Sequence, residues 1–194
     1  MTPYSRQSIN KKDISAVVKT LKSNYLTQGP AVEKFERKLS KLVKVKYGVA
    51  SNSASSSLHL ACIALDLKPK DIVWTVPNTF AASANCAINC GAKIDFVDID
   101  ADTWNLSLSS LEKKLVIAKK KKKLPKILIP VHFAGQPTEQ KEIWKLSKKY
   151  KFKIIEDASH SLGAMQSSEP VGSCKWSDIT VFSFHPVKII TTGE

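Results

Sequence analysis

Apolar residues recur every three or four positions along the first part of the chain, and this spacing predicts two amphipathic helices. The first follows Asn10, which can cap it, and runs to about Ser23, with Ile14, Val17, Val18 and Leu21 on one face. The second follows the turn-forming residues 24–30 and is expected to direct Val32, Phe35, Leu39 and Leu42 inward. The chain therefore opens with helices rather than with a strand.

From residue 47 onward, short apolar runs alternate with longer helical patterns. Strands are predicted at 47–50, 72–76, 93–97, 127–131, 153–156 and 179–182, and helices at 54–67, 80–89 and 139–150. A further helix opens at Ser107 or Ser109. This alternation predicts an α/β fold in which a largely parallel sheet is covered by helices on both faces. Sites in such sheets lie at the carboxyl ends of the strands.

Composition narrows the class of protein. A chain of 194 residues, 43% of them apolar, is long enough for an ordered globular domain. No run reaches the ~18 to 20 apolar residues of a membrane span, and the first residues lack the apolar core of a signal peptide. The four cysteines lack the paired spacing of zinc ligands. We therefore expect a cytoplasmic protein with no metal and no membrane partner.

The net charge of +13 raises nucleic acid as an alternative partner. Much of the excess lies in the run Lys119 to Lys123, which contains none of the interleaved aromatic residues that stack on bases. A block of like charge is typical of a solvated loop, so we expect a surface insertion between a helix and a strand. A basic nucleic-acid-binding module using this run remains an alternative.

A serine-rich turn at residues 51–57 lies between a predicted strand and a predicted helix. The first N–H groups of a helix and its partial positive charge suit a phosphate. Ser53 and Ser55 would add hydroxyl donors there, and Ala54 would let a ligand approach closely. Plain helix capping explains the same residues, so the turn alone does not predict a site.

Five further residues supply candidate chemistry near strand ends or turns. Asp157 could face a pyridinium nitrogen, and His160 lies close enough in sequence to reach the same ring, although capping and structural roles are open alternatives. Phe80 could stack on a flat ring or belong to the core. Lys188 follows an apolar run and could act as a nucleophilic amine, with Ser183 binding a phosphate beside it.

In combination these motifs resemble the DegT/DnrJ/EryC1/StrS sugar aminotransferases, a family of fold-type-I pyridoxal-phosphate enzymes. The resemblance covers essentially the whole chain. Its motifs are residues 26–30, the turn at 51–57, Thr79-Phe80, and residues 130–135, 156–160, 183–188 and 191–194.

The resemblance implies a role for each candidate residue. Lys188 would bind pyridoxal 5'-phosphate covalently, Asp157 would pair with its ring nitrogen and Phe80 would stack on the ring. The other cofactor-binding or phosphate-binding residues would be Ser53, Ala54, Ser55, His160 and Ser183. The residues contacting the sugar nucleotide would be Tyr4, Asn24, Tyr25, Leu26 and Thr27.

The resemblance also implies an activity, which is the transfer of an amino group from an amino acid, glutamate by resemblance, to a nucleotide-linked 4-keto-6-deoxy sugar. Tyr4, residues 23–29 and Ser159-His160 are similar to the branch of the family that acts in pseudaminic acid synthesis, a surface-glycan pathway. A family member that has lost its activity is an alternative.

The resemblance predicts how the chain is divided. Residues 1–30 would form a helix and a substrate-contacting segment, and residues 31–194 would form the cofactor-binding large domain. The sequence ends six residues after Lys188, whereas the family continues with the rest of that domain and a smaller C-terminal domain. We therefore expect an incomplete large domain and, for the full-length protein, a homodimer.

Overall fold

The computed structural model describes residues 5–193, which form a parallel sheet covered by helices. The helices are α1 (Lys11–Leu21), α2 (Pro30–Val43), α3 (Ala54–Ala64), α4 (Ala82–Asn89), α5 (Leu108–Lys120) and α6 (Gln140–Tyr150). The strands are β1 (Ile72–Thr75), β2 (Lys93–Phe96), β3 (Ile127–Leu128), β4 (Lys153–Asp157), β5 (Met165–Gln166), β6 (Glu169–Pro170) and β7 (Ile179–Val181).

The main sheet has the strand order β2-β1-β3-β4-β7, and every pairing within it is parallel. This confirms the predicted α/β class. At the β4–β7 pairing, Asp157 lies opposite Val181, so the carboxyl ends of these two strands are adjacent. The chain also forms a short antiparallel hairpin from β5 and β6 that the sequence pattern did not predict.

The two faces of the sheet bury separate apolar clusters. Val73 and Ile155 pack with residues of α3 and α4, whereas Trp74 and Ile154 pack with residues of α5 and α6. Successive strand residues point to opposite faces. Glu156 and Asp157 at the end of β4 therefore project to opposite sides of the sheet.

Helix caps confirm several predicted starts. The Asn10 side chain accepts from the backbone of Lys12 and Asp13, and the Asp13 carboxylate accepts from the Asn10 N–H in return. This reciprocal pair is a capping box. Ser107, rather than Ser109, caps α5.

Two sequence-based predictions in the N-terminal part are wrong. Residues 47–50 form no strand with any described residue; Val49 is 84% exposed, and the Ala50 N–H donates to the Glu36 carboxylate. An apolar alternation becomes a strand only where a neighbouring strand completes its hydrogen bonds. In α2, Val32 and Leu42 are exposed rather than inward, and the buried residues are Ser40 and Val43.

The lysine run is divided between two structures. Lys119 and Lys120 form the last turn of α5, and residues 121–123 form the exposed loop that leads toward β3. The predicted insertion between a helix and a strand is therefore shorter than the run itself. Within residues 5–193, the helices are too short or too polar to cross a lipid bilayer.

A buried polar pair fastens the segment after β3 to β4. The His132 Nδ1 accepts from the Thr138 N–H at 3.1 Å, and its Nε2 lies 2.9 Å from the Glu156 Oε2. Because Nδ1 is an acceptor, Nε2 carries the proton and donates to the carboxylate. Thr180 donates to the other Glu156 oxygen at 3.3 Å. Glu156 is only 5% exposed, so its carboxyl oxygens rely on these donors rather than on water for hydrogen bonds.

We expect His132→Ala to lower the free energy of unfolding by about 3–5 kcal/mol, because it leaves a buried carboxylate without its closest donor. Urea unfolding followed by circular dichroism measures this loss. Glu156→Gln supplies the matched background, since it keeps the shape and removes the charge. If His132→Ala lowers the free energy of unfolding as much in the Glu156→Gln background as in the wild type, the carboxylate charge is not the cause of the lost stability.

Candidate active site

An amine and an imidazole meet just beyond the carboxyl ends of β4 and β7. The Lys188 Nζ lies 2.8 Å from the His160 Nε2. His160 belongs to the turn that follows β4, and Lys188 to the segment that follows β7. Because the two strands are neighbours in the sheet, residues 28 positions apart in sequence form a direct hydrogen bond.

Asp157 is the acid of this cluster, and it is 4% exposed. Its Oδ2 accepts from the Ser83 hydroxyl at 2.6 Å. Its Oδ1 accepts from the Ser159 hydroxyl at 2.6 Å and from the Ser159 N–H at 3.2 Å. Three donors compensate for the burial of the carboxylate and hold it in one orientation.

Ser83 is a site residue that the sequence analysis did not identify. It is fully buried in the first turn of α4, and its hydroxyl also lies 2.7 Å from the Thr79 hydroxyl. Hydroxyls of Thr79 and Ser83 thus form a short chain that ends on the Asp157 carboxylate. The sequence signal that could have identified Ser83 is its spacing, because it lies three and four positions before Cys86 and Ala87, which are buried on the same face of α4.

Burial changes the basicity of both nitrogen groups. Desolvation lowers the pKa of the Lys188 amine, and the charge of Asp157 acts in the opposite direction. Desolvation also lowers the pKa of His160; the positive charge of Lys188 adds to this effect, and Asp157 opposes it. A lowered lysine pKa increases the fraction of neutral amine, which is the nucleophilic form.

The start of α3 offers the donor groups of the predicted phosphate site. Ser53 caps the helix, because its hydroxyl accepts from the Ser56 N–H at 3.2 Å. Its side chain is therefore already bonded within the turn. Ala54 and Ser55 are the first two residues of the helix, where backbone N–H groups have no intrahelical acceptor. These two N–H groups, together with the exposed Ser55 hydroxyl, are the donors best placed for an anion.

A large apolar cavity of about 1200 Å³ lies beside this helix start. It is bordered by α2, residues 45–51, α3 and β7, and by Phe182 and Phe184 on either side of Ser183. Asp157, His160 and Lys188 are not among the described residues that line it. The cavity therefore adjoins the amine–acid cluster but does not contain it.

Phe80 is 76% exposed in the turn before α4. This excludes the alternative that it is a core residue of this chain. It lies directly after Thr79, whose hydroxyl connects through Ser83 to Asp157. An exposed aromatic ring on this turn is available to cover a flat ligand.

The proposed substrate-contacting residues are exposed but separate from this cluster. Asn24, Tyr25, Leu26 and Thr27 lie in the loop between α1 and α2. Within residues 5–193, no hydrogen bond connects these four to Asp157, His160 or Lys188. Tyr4 lies outside the described residues. Ser183 is half-buried, and its hydroxyl accepts weakly from the His185 N–H at 3.4 Å.

Gly135 lets the chain after β3 approach the backbone of His160. Its φ is 89°, and a Cβ at this position would lie 2.8 Å from the His160 carbonyl oxygen. A side chain would therefore be strained by its backbone conformation and would also displace the His160 turn. The glycine fixes this turn against the 3-10 helix Phe133–Gly135.

Comparison with known families gives a match over almost the whole chain. Residues 7–194 match the model of the DegT/DnrJ/EryC1/StrS aminotransferase family. The chain is 46% identical, over all of its 194 residues, to the UDP-4-amino-4,6-dideoxy-N-acetyl-beta-L-altrosamine transaminase of Campylobacter jejuni. It covers 50% of that protein, so it spans about half the length of the curated relatives it matches.

Solved structures give the same result. PseC of Helicobacter pylori, an aminotransferase involved in the biosynthesis of pseudoaminic acid, matches with a TM-score of 0.88 and 31% identity. The match covers 99% of this chain and 50% of PseC. NtdA of Bacillus subtilis, solved with bound cofactor PMP, matches with a TM-score of 0.79 and 27% identity. That match covers 94% of this chain and 40% of NtdA.

We expect Ser83→Ala to lower the free energy of unfolding by about 1.5–3 kcal/mol, because it removes a buried hydrogen bond to an ionised carboxylate. Urea unfolding at neutral pH measures the change. Ser159→Ala is the matched control: its hydroxyl also donates to Asp157, but the residue is half-exposed, so water can replace the lost donor. Equal losses in the two variants would contradict the special role assigned to the buried Ser83.

Proposed function

Because this chain belongs to the DegT/DnrJ/EryC1/StrS aminotransferase family, we propose that the whole protein is a pyridoxal-phosphate-dependent sugar aminotransferase. It transfers an amino group from an amino acid, glutamate in this proposal, to a nucleotide-linked 4-keto-6-deoxy sugar. The observation that carries the proposal is a half-buried lysine amine bonded to His160, which follows a buried, triply hydrogen-bonded aspartate by three residues at adjacent strand ends.

The chemistry of these groups fits pyridoxal 5'-phosphate. Lys188 would supply the amine that binds its aldehyde, Asp157 would supply the acid for its ring nitrogen, and the exposed Phe80 ring would cover its face. Ala54, Ser55 and Ser183 would bind its phosphate, and Ser53 caps the helix start beside them. When bound, the cofactor supplies a ring that accepts electrons from the carbon next to the transferred amine.

The protein side chains have distinct tasks in this proposal. The hydrogen bonds from Ser83 and Ser159 hold the Asp157 carboxyl group in one orientation, from which it would keep a proton on the cofactor's ring nitrogen. The Lys188 amine, once free, accepts a proton from one substrate carbon and returns it to another atom as a general base and acid. Its lowered pKa favours the neutral form that accepts the proton.

The substrate assignment is based on relatives. The C. jejuni relative is named for UDP-4-amino-4,6-dideoxy-N-acetyl-beta-L-altrosamine, and the H. pylori structure is described as part of pseudoaminic acid biosynthesis. We propose the same sugar class for this protein, in pseudaminic acid or related surface-glycan synthesis. Tyr4 and the loop residues Asn24, Tyr25, Leu26 and Thr27 would contact the sugar nucleotide.

The arrangement of the whole protein is also a proposal. Residues 1–30 form the helix and substrate segment, and residues 31–194 belong to the cofactor-binding domain. We propose a cytoplasmic homodimer whose active sites are completed outside this stretch of chain. The alternative is that this protein is a family member that keeps the fold without turnover. The amine–acid cluster is the observation against this alternative.

Nucleic-acid binding through the lysine run has less support. Two aromatic rings of α6, Tyr150 and Trp144, already lie under lysine ammonium groups, and Lys119 of the run is one of the lysines over Tyr150. Tyr150 is also buried. Rings in this arrangement are not free to stack on bases.

Lys188→Met is expected to abolish specific cofactor capture, because it removes the amine while keeping the length of the side chain. The measurement adds pyridoxal phosphate to the 194-residue chain, reduces with borohydride and locates the labelled peptide by mass spectrometry. Lys141→Met, an exposed lysine on α6, is the control and should retain the Lys188 label. Labelling spread equally over surface lysines in the wild type would contradict the assignment.

Asp157→Asn is expected to preserve capture by Lys188 but to slow amino transfer by about 100-fold or more, because an amide cannot hold the ring proton. The measurement is the single-turnover spectral change with glutamate in the protein produced from its complete gene. Asp95→Asn, on the edge strand β2, is the control. An undiminished rate in Asp157→Asn would contradict the role of the acid. Failure of the wild type to aminate any keto-sugar nucleotide would contradict the proposed function.

A further inference from the structure

The contact between Lys188 and His160 joins two groups that are both cationic when protonated. At 2.8 Å, the Lys188 Nζ and the His160 Nε2 are within hydrogen-bond distance. A hydrogen bond needs one lone pair, and a fully protonated pair has none. The geometry therefore requires that one of the two nitrogens is unprotonated. Since an ordinary lysine is more basic than an ordinary histidine, the ammonium donates and the neutral imidazole accepts.

The surroundings supply one negative charge to this pair. The negative charge of Asp157 raises the pKa of both His160 and Lys188, against the effect of desolvation. The 3-10 helix that packs against the His160 backbone through Gly135 contains no titratable side chain. On the lysine's own segment, the His185 Nδ1 accepts from the Val187 N–H at 3.4 Å. One carboxylate balances one positive charge on this pair, and a second positive charge would be uncompensated.

We propose that His160 is a positioning residue that holds the Lys188 amine beside Asp157, and that the two side chains share a single positive charge. The inference deepens the proposed function and rests on it for its significance, because Lys188 is the amine assigned to the cofactor. The shared charge of His160 and Lys188 is a property of the chain alone, so it can be tested without the cofactor.

Protonation of His160 reverses this arrangement. The imidazole then becomes a donor, the hydrogen bond is lost, and two cations repel each other at close range. The His160 pKa is lowered, so less of its imidazole is charged near neutral pH than in an ordinary histidine, and the charge increases as the pH falls. The amine is therefore held at neutral pH and released in acid.

The coupling is reciprocal. If the charge of Lys188 disfavours protonation of His160, removing that charge must raise the His160 pKa by the same interaction free energy. A glutamine in place of His160 would keep an acceptor oxygen but could not titrate. Positioning and pH response can thus be separated by substitution.

The decisive experiment is an NMR titration of the histidine side chains in the cofactor-free chain. There are only four histidines, at positions 59, 132, 160 and 185. We expect the His160 pKa to rise in Lys188→Met, because the positive charge of Lys188 no longer disfavours the protonated imidazole. An unchanged His160 pKa in this variant overturns the proposal even if the protein binds pyridoxal phosphate.

A second measurement tests positioning. The rate at which borohydride-trapped pyridoxal phosphate forms on Lys188 should fall about tenfold or more in His160→Ala, as expected for loss of a hydrogen bond to a charged group. His160→Gln should restore the rate at neutral pH and remove the additional pH dependence below the histidine range. A rate in His160→Ala equal to the wild type overturns the positioning role. If the His160 pKa rises in Lys188→Met but Lys188 does not capture pyridoxal phosphate, the proposed function is rejected and the shared charge of the two side chains stands.

Discussion

The candidate site depends on the register between β4 and β7. With Asp157 opposite Val181, the two strands end at the same level, and the segments that follow them start side by side. Residues 158–160 and 183–188 then share one edge of the sheet. A shift of this pairing by one residue would turn Asp157 to the opposite face. The distance between Lys188 and His160 is therefore a consequence of the pairing of β4 with β7.

The end of β4 gives two adjacent carboxylates different environments. Glu156 faces the α5 and α6 side, where His132 and Thr180 bind it within a closed polar cluster. Asp157 faces the α3 and α4 side, where hydroxyls hold it at the edge of the site. The first carboxylate fastens the segment after β3 to the sheet, and this same segment supplies the turn under His160. Structural and chemical roles are thus separated by the alternation of a single strand.

The sequence was sufficient for those features that depend on local pattern. The strands around Val73, Ile94 and Ile155 and the caps at Asn10 and Ser107 could be predicted, because apolar period and capping chemistry act over a few residues. Residues 47–50 could not, because a strand exists only with a partner. Ser83 and Gly135 were missed for a similar reason, because each contacts a residue that is distant in sequence. Ser83 bonds to Asp157, 74 positions away, and Gly135 packs against His160, 25 positions away. The same holds for the Lys188–His160 contact, which only the folded sheet brings together.

In a chain so rich in lysine, environment rather than residue type distinguishes Lys188 from the other amines. A solvated lysine with the ordinary pKa is neutral in less than about one molecule in a thousand at pH 7. Lys188 differs because it is partly removed from water and bonded to an uncharged acceptor. Desolvation increases the neutral fraction, and the imidazole fixes the direction of the nitrogen. The charge of Asp157 opposes desolvation, because it stabilises the ammonium form of Lys188. In the proposed site, this carboxylate must therefore act on a ligand without fully restoring the ammonium. The hydroxyls of Ser83 and Ser159 meet this requirement, because they hold the carboxylate in place and disperse part of its charge.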